Sequence, residues 1–220
     1  MSTWNSEKKT VLEAAQRMAQ EGYVVGTAGN VSMRLDEPSG RGLVAITPND
    51  RYYDNLTVDD IVVVDFDGQQ VEGELKTSVE TMLHIGIYKA RKKVNAVMHV
   101  HPVYASIVAV TGLGIPPILE DQVTYLGGEI KIAQYALSGT DELAKNVISA
   151  LGANNAVLLA NHGALSVGRN MKEAYTNCAM LEKTAKIYVY ARNSGTEIRQ
   201  VPAEPLAVMQ AFFNYHHGDS

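Results

Sequence analysis

A single cysteine, Cys178, stands in 220 residues, so no internal disulfide can form and the chain suits a reducing compartment. Long apolar runs are missing as well. Stretches such as 61–64 and 156–160 are strand-sized, far below the roughly 18 residues that a membrane helix requires. The opening Trp4-Asn5-Ser6-Glu7-Lys8-Lys9 lacks the pattern of a signal peptide, and the expectation is a cytoplasmic protein with no membrane span. No charge of one sign dominates: 19 basic and 24 acidic residues are mixed along the chain, which leaves neither a nucleic-acid footprint nor a polybasic membrane patch. The densest basic group, Lys89, Arg91, Lys92 and Lys93, reads as a solvated helix end. Repeats and low-complexity segments are absent, and a hydrophobic share of 46% excludes disorder. The length fits one compact domain of two or three layers.

The periodicities that are present alternate between helix and strand. Apolar residues at Val11, Leu12, Ala14, Ala15, Met18 and Ala19, closed by Gly22, predict an opening helix. Strand signals at 31–35 and 43–46 flank a Gly/Pro/Ser loop at 37–42, and 61–66 meets 70–71 across Asp67-Gly68, a hairpin turn. Thr77 or Ser78 caps a helix running to about Arg91, with Glu80 in its first turn. There follow a strand at 96–100, a helix at 102–110, a Gly/Pro loop, a strand near 129–133, a helix at 140–151, a strand at 156–159 and a long helix at 171–190. The class is α/β. Residues 1–192 read as one α/β domain. Residues 193–220 read as a tail with Pro202, Pro205 and an aromatic end, which either packs on a neighbour or closes over a site, or is disordered over its last few residues.

His99 and His101 are two apart at a strand end, so both imidazoles point to one face. Pro102 follows at once, where strand gives way to helix. His162, in Asn161-His162-Gly163, comes directly after another apolar strand. Three neutral imidazoles with an open position describe a catalytic zinc-type site, with a carboxylate as fourth ligand or base. Glu80 is the best-placed acid, and His84, four residues on, reads as a hydrogen-bonding or packing residue. A second constellation, Gly26-Thr27-Ala28-Gly29-Asn30-Val31-Ser32, lets backbone approach an anion and supplies donors to it, as does Ser78 at a helix start.

In this order G-T-A-G-N-V-S, I-T-P, S-x-E-x-x-x-H, A-V-x-H-x-H-P and N-H-G resemble the class II aldolase/adducin family over about 23–191. The L-fuculose-1-phosphate aldolase branch is the most similar, with the L-ribulose-5-phosphate 4-epimerases beside it. The resemblance implies a three-layer α/β/α domain with a predominantly antiparallel central sheet. It also implies a homotetramer whose active sites lie at subunit boundaries. His99, His101 and His162 fall on the zinc ligands, and Glu80 on the acid that binds the resting metal and shuttles a proton. Thr27, Gly29 and Asn30 fall on the phosphate loop, Thr47 on the T-P segment and Ser78 on the first of two phosphate-binding serines. Three departures stand out: Asn49-Asp50 replaces a Ser/Thr-Gly pair, Val79 replaces the second serine, and Asp121 stands where aldolases bring a tyrosine from a neighbour. Asp50 would repel a dianion unless it turns away. Asp121, with Glu120 beside it, and Tyr215 are the candidate proton carriers.

The activity these features imply is retro-aldol cleavage of a short ketose 1-phosphate to dihydroxyacetone phosphate and an aldehyde. The cofactor would be Zn2+, or Mn2+ or Co2+, stabilising an enediolate. Decarboxylation of a hydroxy or keto acid and 4-epimerisation are alternatives on the same site. A non-catalytic adducin-like role is disfavoured by the complete histidine set.

Overall fold

The computed structural model describes residues 4–37 and 40–218, so Pro38 and Ser39 of the expected loop lie outside the described residues. Helix α1 (Asn5–Gln20) leads into β1 (Asn30–Leu35) and β2 (Leu43–Ile46), then two 3-10 turns at Tyr53–Asn55 and Val58–Asp60. The hairpin β3 (Val62–Asp65) and β4 (Gln70–Glu72) precedes α2 (Thr81–Ala90), β5 (Ala96–Val100), α3 (Val103–Ala109) and α4 (Glu120–Leu126). The chain closes with β6 (Ile132–Ala133), α5 (Asp141–Leu151), β7 (Ala156–Leu159), β8 (Gly163–Gly168), α6 (Met171–Asn193) and α7 (Ala203–His217).

The eight strands form one mixed sheet in the order β4-β3-β2-β1-β5-β8-β7-β6, antiparallel throughout except where β6 runs parallel to β7. Alternate strand residues feed two cores. Val31, Ala45, Val63, Met98 and Leu158 pack with α1, α3, α4 and α6, whereas Val44, Val62, Val97, Leu165 and Val167 pack with α2 and α5. Helices on both faces explain why the strands read as unbroken apolar runs: neither side meets water.

Several stretches depart from the sequence reading for local reasons. The helix expected from Thr77 or Ser78 begins only at Thr81. Ser78 accepts the Glu80 N–H at 3.2 Å, and its carbonyl takes the N–H and hydroxyl of Thr81, which makes a turn and leaves Glu80 as N-cap. Inside the expected Gly/Pro loop lies α4, held by buried Gln122, whose amide reaches Pro116, Gly128 and the Ile118 N–H. The strand expected near 129–133 shrinks to Ile132–Ala133, with Ile130 bridging Ile115. Arg91, expected at a solvated helix end, is buried and donates to the carbonyls of Gly152 and Asn154 beyond α5. The tail folds as α7. Pro205 is tolerated because first-turn N–H groups have no intrahelical acceptor. Phe213 anchors the helix over Gly127, where an added Cβ would lie 2.7 Å from the ring.

Candidate active site and metal centre

The site is assembled where β1, β5 and the β7–β8 turn come side by side. Asn30 is the direct cross-strand partner of His99, so their side chains share a sheet face with each other and with Val97, the α2 side. Two backbone approaches make this possible. Gly29, at φ +74°, brings the loop so near β5 that a Cβ would stand 2.7 Å from the His99 carbonyl oxygen. Gly163 does the same for β8, with a Cβ position 2.5 Å from the Val100 carbonyl. His162 sits in the turn between β7 and β8, behind Asn161 at φ +54°, a left-handed conformation that asparagine tolerates better than most residues.

The three imidazoles converge. His99 Nε2 is 2.9 Å from His101 Nε2 and 3.2 Å from His162 Nε2. Bonds of about 2.0–2.1 Å to one tetrahedral ion would set such nitrogens about 3.3–3.4 Å apart, so the cluster fits a divalent metal nearly as it stands. His99 Nδ1 lies 3.0 Å from the Ala164 carbonyl, which assigns its proton to Nδ1 and leaves Nε2 as the ligating atom. Glu80 completes the set, with Oε2 3.2 Å from His99 Nε2 and Oε1 3.8 Å from His162 Nε2.

Glu80 is buried and its carboxylate is held from two sides: Asn30 Nδ2 donates to Oε2 and Ser138 Oγ to Oε1, both at 2.8 Å. Burial opposes its charge, yet His99, those two hydrogen bonds and His162 outweigh that and hold the carboxyl at about 2. Burial, then His99 and His162, lowers His101 to about 3 against the pull of Glu80; burial and His99 likewise lower His162. The lowered His101 and His162 favour unprotonated ring nitrogens beside an ionised carboxylate, which is what metal binding requires.

The remaining expected residues are arranged around this centre unevenly. Asn30 and Ser78 meet Glu80 directly, whereas Thr47 is fully buried and accepts the Val31 N–H at 3.2 Å. Thr27 donates to Asp50 Oδ1 at 3.0 Å, and Asp50 takes φ +52°, the backbone conformation that a glycine would adopt freely. A hollow beside them is bounded by Arg51, Tyr52, Asn55 and Asp60. Asp121 is not brought to the centre; it pairs with Lys183 on α6. Tyr215 is 82% exposed on α7, whose C-terminus meets Arg91 and Glu173 at the end of β5 remote from His99. Two contributors carried no sequence signal. Ser138 lies in an ordinary turn before α5, and Tyr53 donates to the carbonyls of Gly29 and Ala28 at 2.6 and 3.1 Å, bracing the glycine loop.

The family model for the class II aldolase and adducin N-terminal domain matches residues 9–189. The chain belongs to this family. The 5-deoxy-D-ribulose 1-phosphate aldolase of Bacillus thuringiensis serovar kurstaki is 33% identical over 189 residues, 86% of this chain and 87% of that one. An L-fuculose 1-phosphate aldolase superposes with a TM-score of 0.88 at 32% identity, covering 97% of this chain and 98% of the other. The L-fuculose-1-phosphate aldolase of Thermus thermophilus gives a TM-score of 0.73 at 28% identity, over 86% and 97% of the two chains. Membership in the class II aldolase family accounts for the mostly antiparallel α/β fold and agrees with a divalent metal at the histidine cluster.

Proposed function

We propose that this protein is a divalent-metal-dependent aldolase that cleaves a short ketose 1-phosphate into dihydroxyacetone phosphate and an aldehyde. The observation that carries this reading is a buried, ionised carboxylate, Glu80, set against a convergent histidine triad in a chain similar to two ketose 1-phosphate aldolases. His99, His101, His162 and Glu80 would hold the cation, zinc being favoured by the all-imidazole nitrogen set. When bound, such a cation polarises the substrate carbonyl and offsets the charge that develops on its oxygen.

The chain's own residues supply the rest. In cleavage, the 4-hydroxyl gives up its proton as the C3–C4 bond breaks, the aldehyde leaves, and the electron pair stays with the dihydroxyacetone phosphate fragment until C3 takes a proton. Glu80, displaced by substrate, is the group that carries the proton at C3. Asn30 and Ser138 fix which carboxylate oxygen faces the substrate. Thr27, Gly29, Asn30, Thr47 and Ser78 form the loop and turn that would receive the phosphate. Asp121 and Tyr215 lie away from the centre of their own chain, so a role for either in proton transfer at the 4-hydroxyl requires a second copy, as in a homotetramer.

Aldehyde release from a panel of ketose 1-phosphates, with zinc, cobalt or manganese restored and Glu80→Gln beside it, tests the proposal. Cleavage lost in the variant supports it. The Thr27–Asp50 bond favours one rival, decarboxylation of a non-phosphorylated hydroxy or keto acid; one metal ion per chain with carbon dioxide released and no aldehyde would select that reaction.

A further inference from the structure

Behind Glu80 lies a buried polar triad, Ser32, His84 and Tyr88, that no part of the proposed chemistry uses. Asn30 and Ser32, two apart on β1, point to one face of the sheet; Glu80 and His84, four apart at the start of α2, point back at them. Asn30 takes Glu80. Ser32 Oγ lies 2.6 Å from His84 Nδ1 and 2.7 Å from the Tyr88 hydroxyl, and all three side chains are buried.

Ser32 has one proton and two acceptor lone pairs, so it holds both His84 Nδ1 and the Tyr88 hydroxyl whichever partner donates. The other ring nitrogen, Nε2, is enclosed and has no partner among the described residues. A buried, directionally bonded imidazole is a costly way to fill core space, because its unpaired ring nitrogen forfeits its hydration. Glu80 itself makes no capping bond to its own helix, so nothing within α2 fixes the direction in which its side chain leaves.

We propose that His84 is a positioning residue for Glu80: through Ser32, which Tyr88 also holds, it clamps the first turn of α2 onto β1 and thereby fixes the carboxylate against the histidine triad. The inference rests on the metal-centre reading given above, and it acts through Glu80 rather than through the ion.

Cobalt affinity of the full chain, measured by the visible absorption of bound Co2+, tests this independently of turnover. His84→Phe removes the clamp while keeping a ring of similar size, and His84→Asn keeps an acceptor for Ser32 while losing volume. The clamp predicts a loss of about tenfold or more for His84→Phe, the range found for partners that orient metal ligands, and substantial retention in His84→Asn. It also predicts that His84→Phe costs nothing further once Glu80 is glutamine, since the two residues act as one unit. A packing role reverses the order of the two variants, and an equal loss with and without Glu80 overturns the proposal. If His84→Phe fails to fold, Ser32→Ala cuts the same bond and should weaken cobalt binding in the same direction. Wild-type protein that binds no cobalt overturns the metal reading together with this one; binding insensitive to His84 and Ser32 overturns this one alone.

Discussion

Three residues carry distinct physical burdens at the centre. Glu80 is ionised because Asn30, Ser138 and two imidazoles offset the cost of its burial. Glu80→Gln should keep the far-ultraviolet circular dichroism unchanged while lowering cleavage about 10²- to 10⁴-fold, the usual weight of a positioned acid–base group. Gly29 combines a left-handed backbone with near contact on the His99 carbonyl. Gly29→Ala should therefore destabilise the fold by about 1–3 kcal/mol in urea titrations and weaken metal binding with it. Asp50 holds the Thr27 hydroxyl and places a carboxylate in the expected phosphate cradle. Since its backbone already suits glycine, Asp50→Gly should lower KM for a phosphorylated substrate severalfold and leave kcat nearly unchanged. Unaltered KM would mean that the carboxylate faces away from the phosphate.

Among the elements, α2 and α7 serve opposite ends of the molecule. The first turn of α2 delivers Glu80, whereas α7 docks through Phe213 on α4, with its C-terminus at the end of β5 remote from the histidines. Phe213→Ala removes a buried aromatic anchor, a change that costs about 3–5 kcal/mol in well-packed sites. Because α7 is joined to α6 by an irregular segment, much of that cost should fall on α7 alone. The expected result is faster limited proteolysis around residues 194–202, with cobalt affinity within about twofold of wild type. Lost cobalt binding in this variant would contradict the separation of the two ends. No helix among the described residues is long and apolar enough to cross a membrane.

Over the whole molecule, buried neutral imidazoles tie stability to pH. His84 is lowered to about 3 by burial, against the attraction of Glu80 and with the repulsion of His99. Its folded value lies below the unfolded one of about 6.5, so the unfolded chain binds the proton first. Stability present above pH 6.5 is therefore lost as pH falls toward 3, at up to about 1.4 kcal/mol per pH unit from this residue. Urea unfolding at pH 7.5 and 5.0 should show that loss, and His84→Asn should show a shallower one. Zinc at about 100 times its dissociation constant should add about 2.7 kcal/mol at pH 7.5 and less at pH 5.0, since protons and metal compete for the same nitrogens.

The sequence by itself determined the α/β class, most strand and helix positions, and the three histidines, because these rest on local periodicity and on a two-residue spacing that any strand converts into a shared face. It also offered Glu80 as the acid for the centre and read His84 as a hydrogen-bonding or packing residue; the structure sets Glu80 Oε2 3.2 Å from His99 Nε2 and Ser32 Oγ 2.6 Å from His84 Nδ1. Tertiary structure alone decided the rest. Helix α4 exists because Gln122 closes a loop on itself, α7 because Phe213 finds Gly127, and the Asn30–Glu80 bond lies beside the triad because register puts Asn30 opposite His99. Ser138 and Tyr53 are ordinary turn and core residues until folding carries them to their partners across 58 and 24 positions of chain. Periodicity reports which face a residue takes; which residue waits on the other side is fixed only when the strands choose their register and the sheet closes its layers.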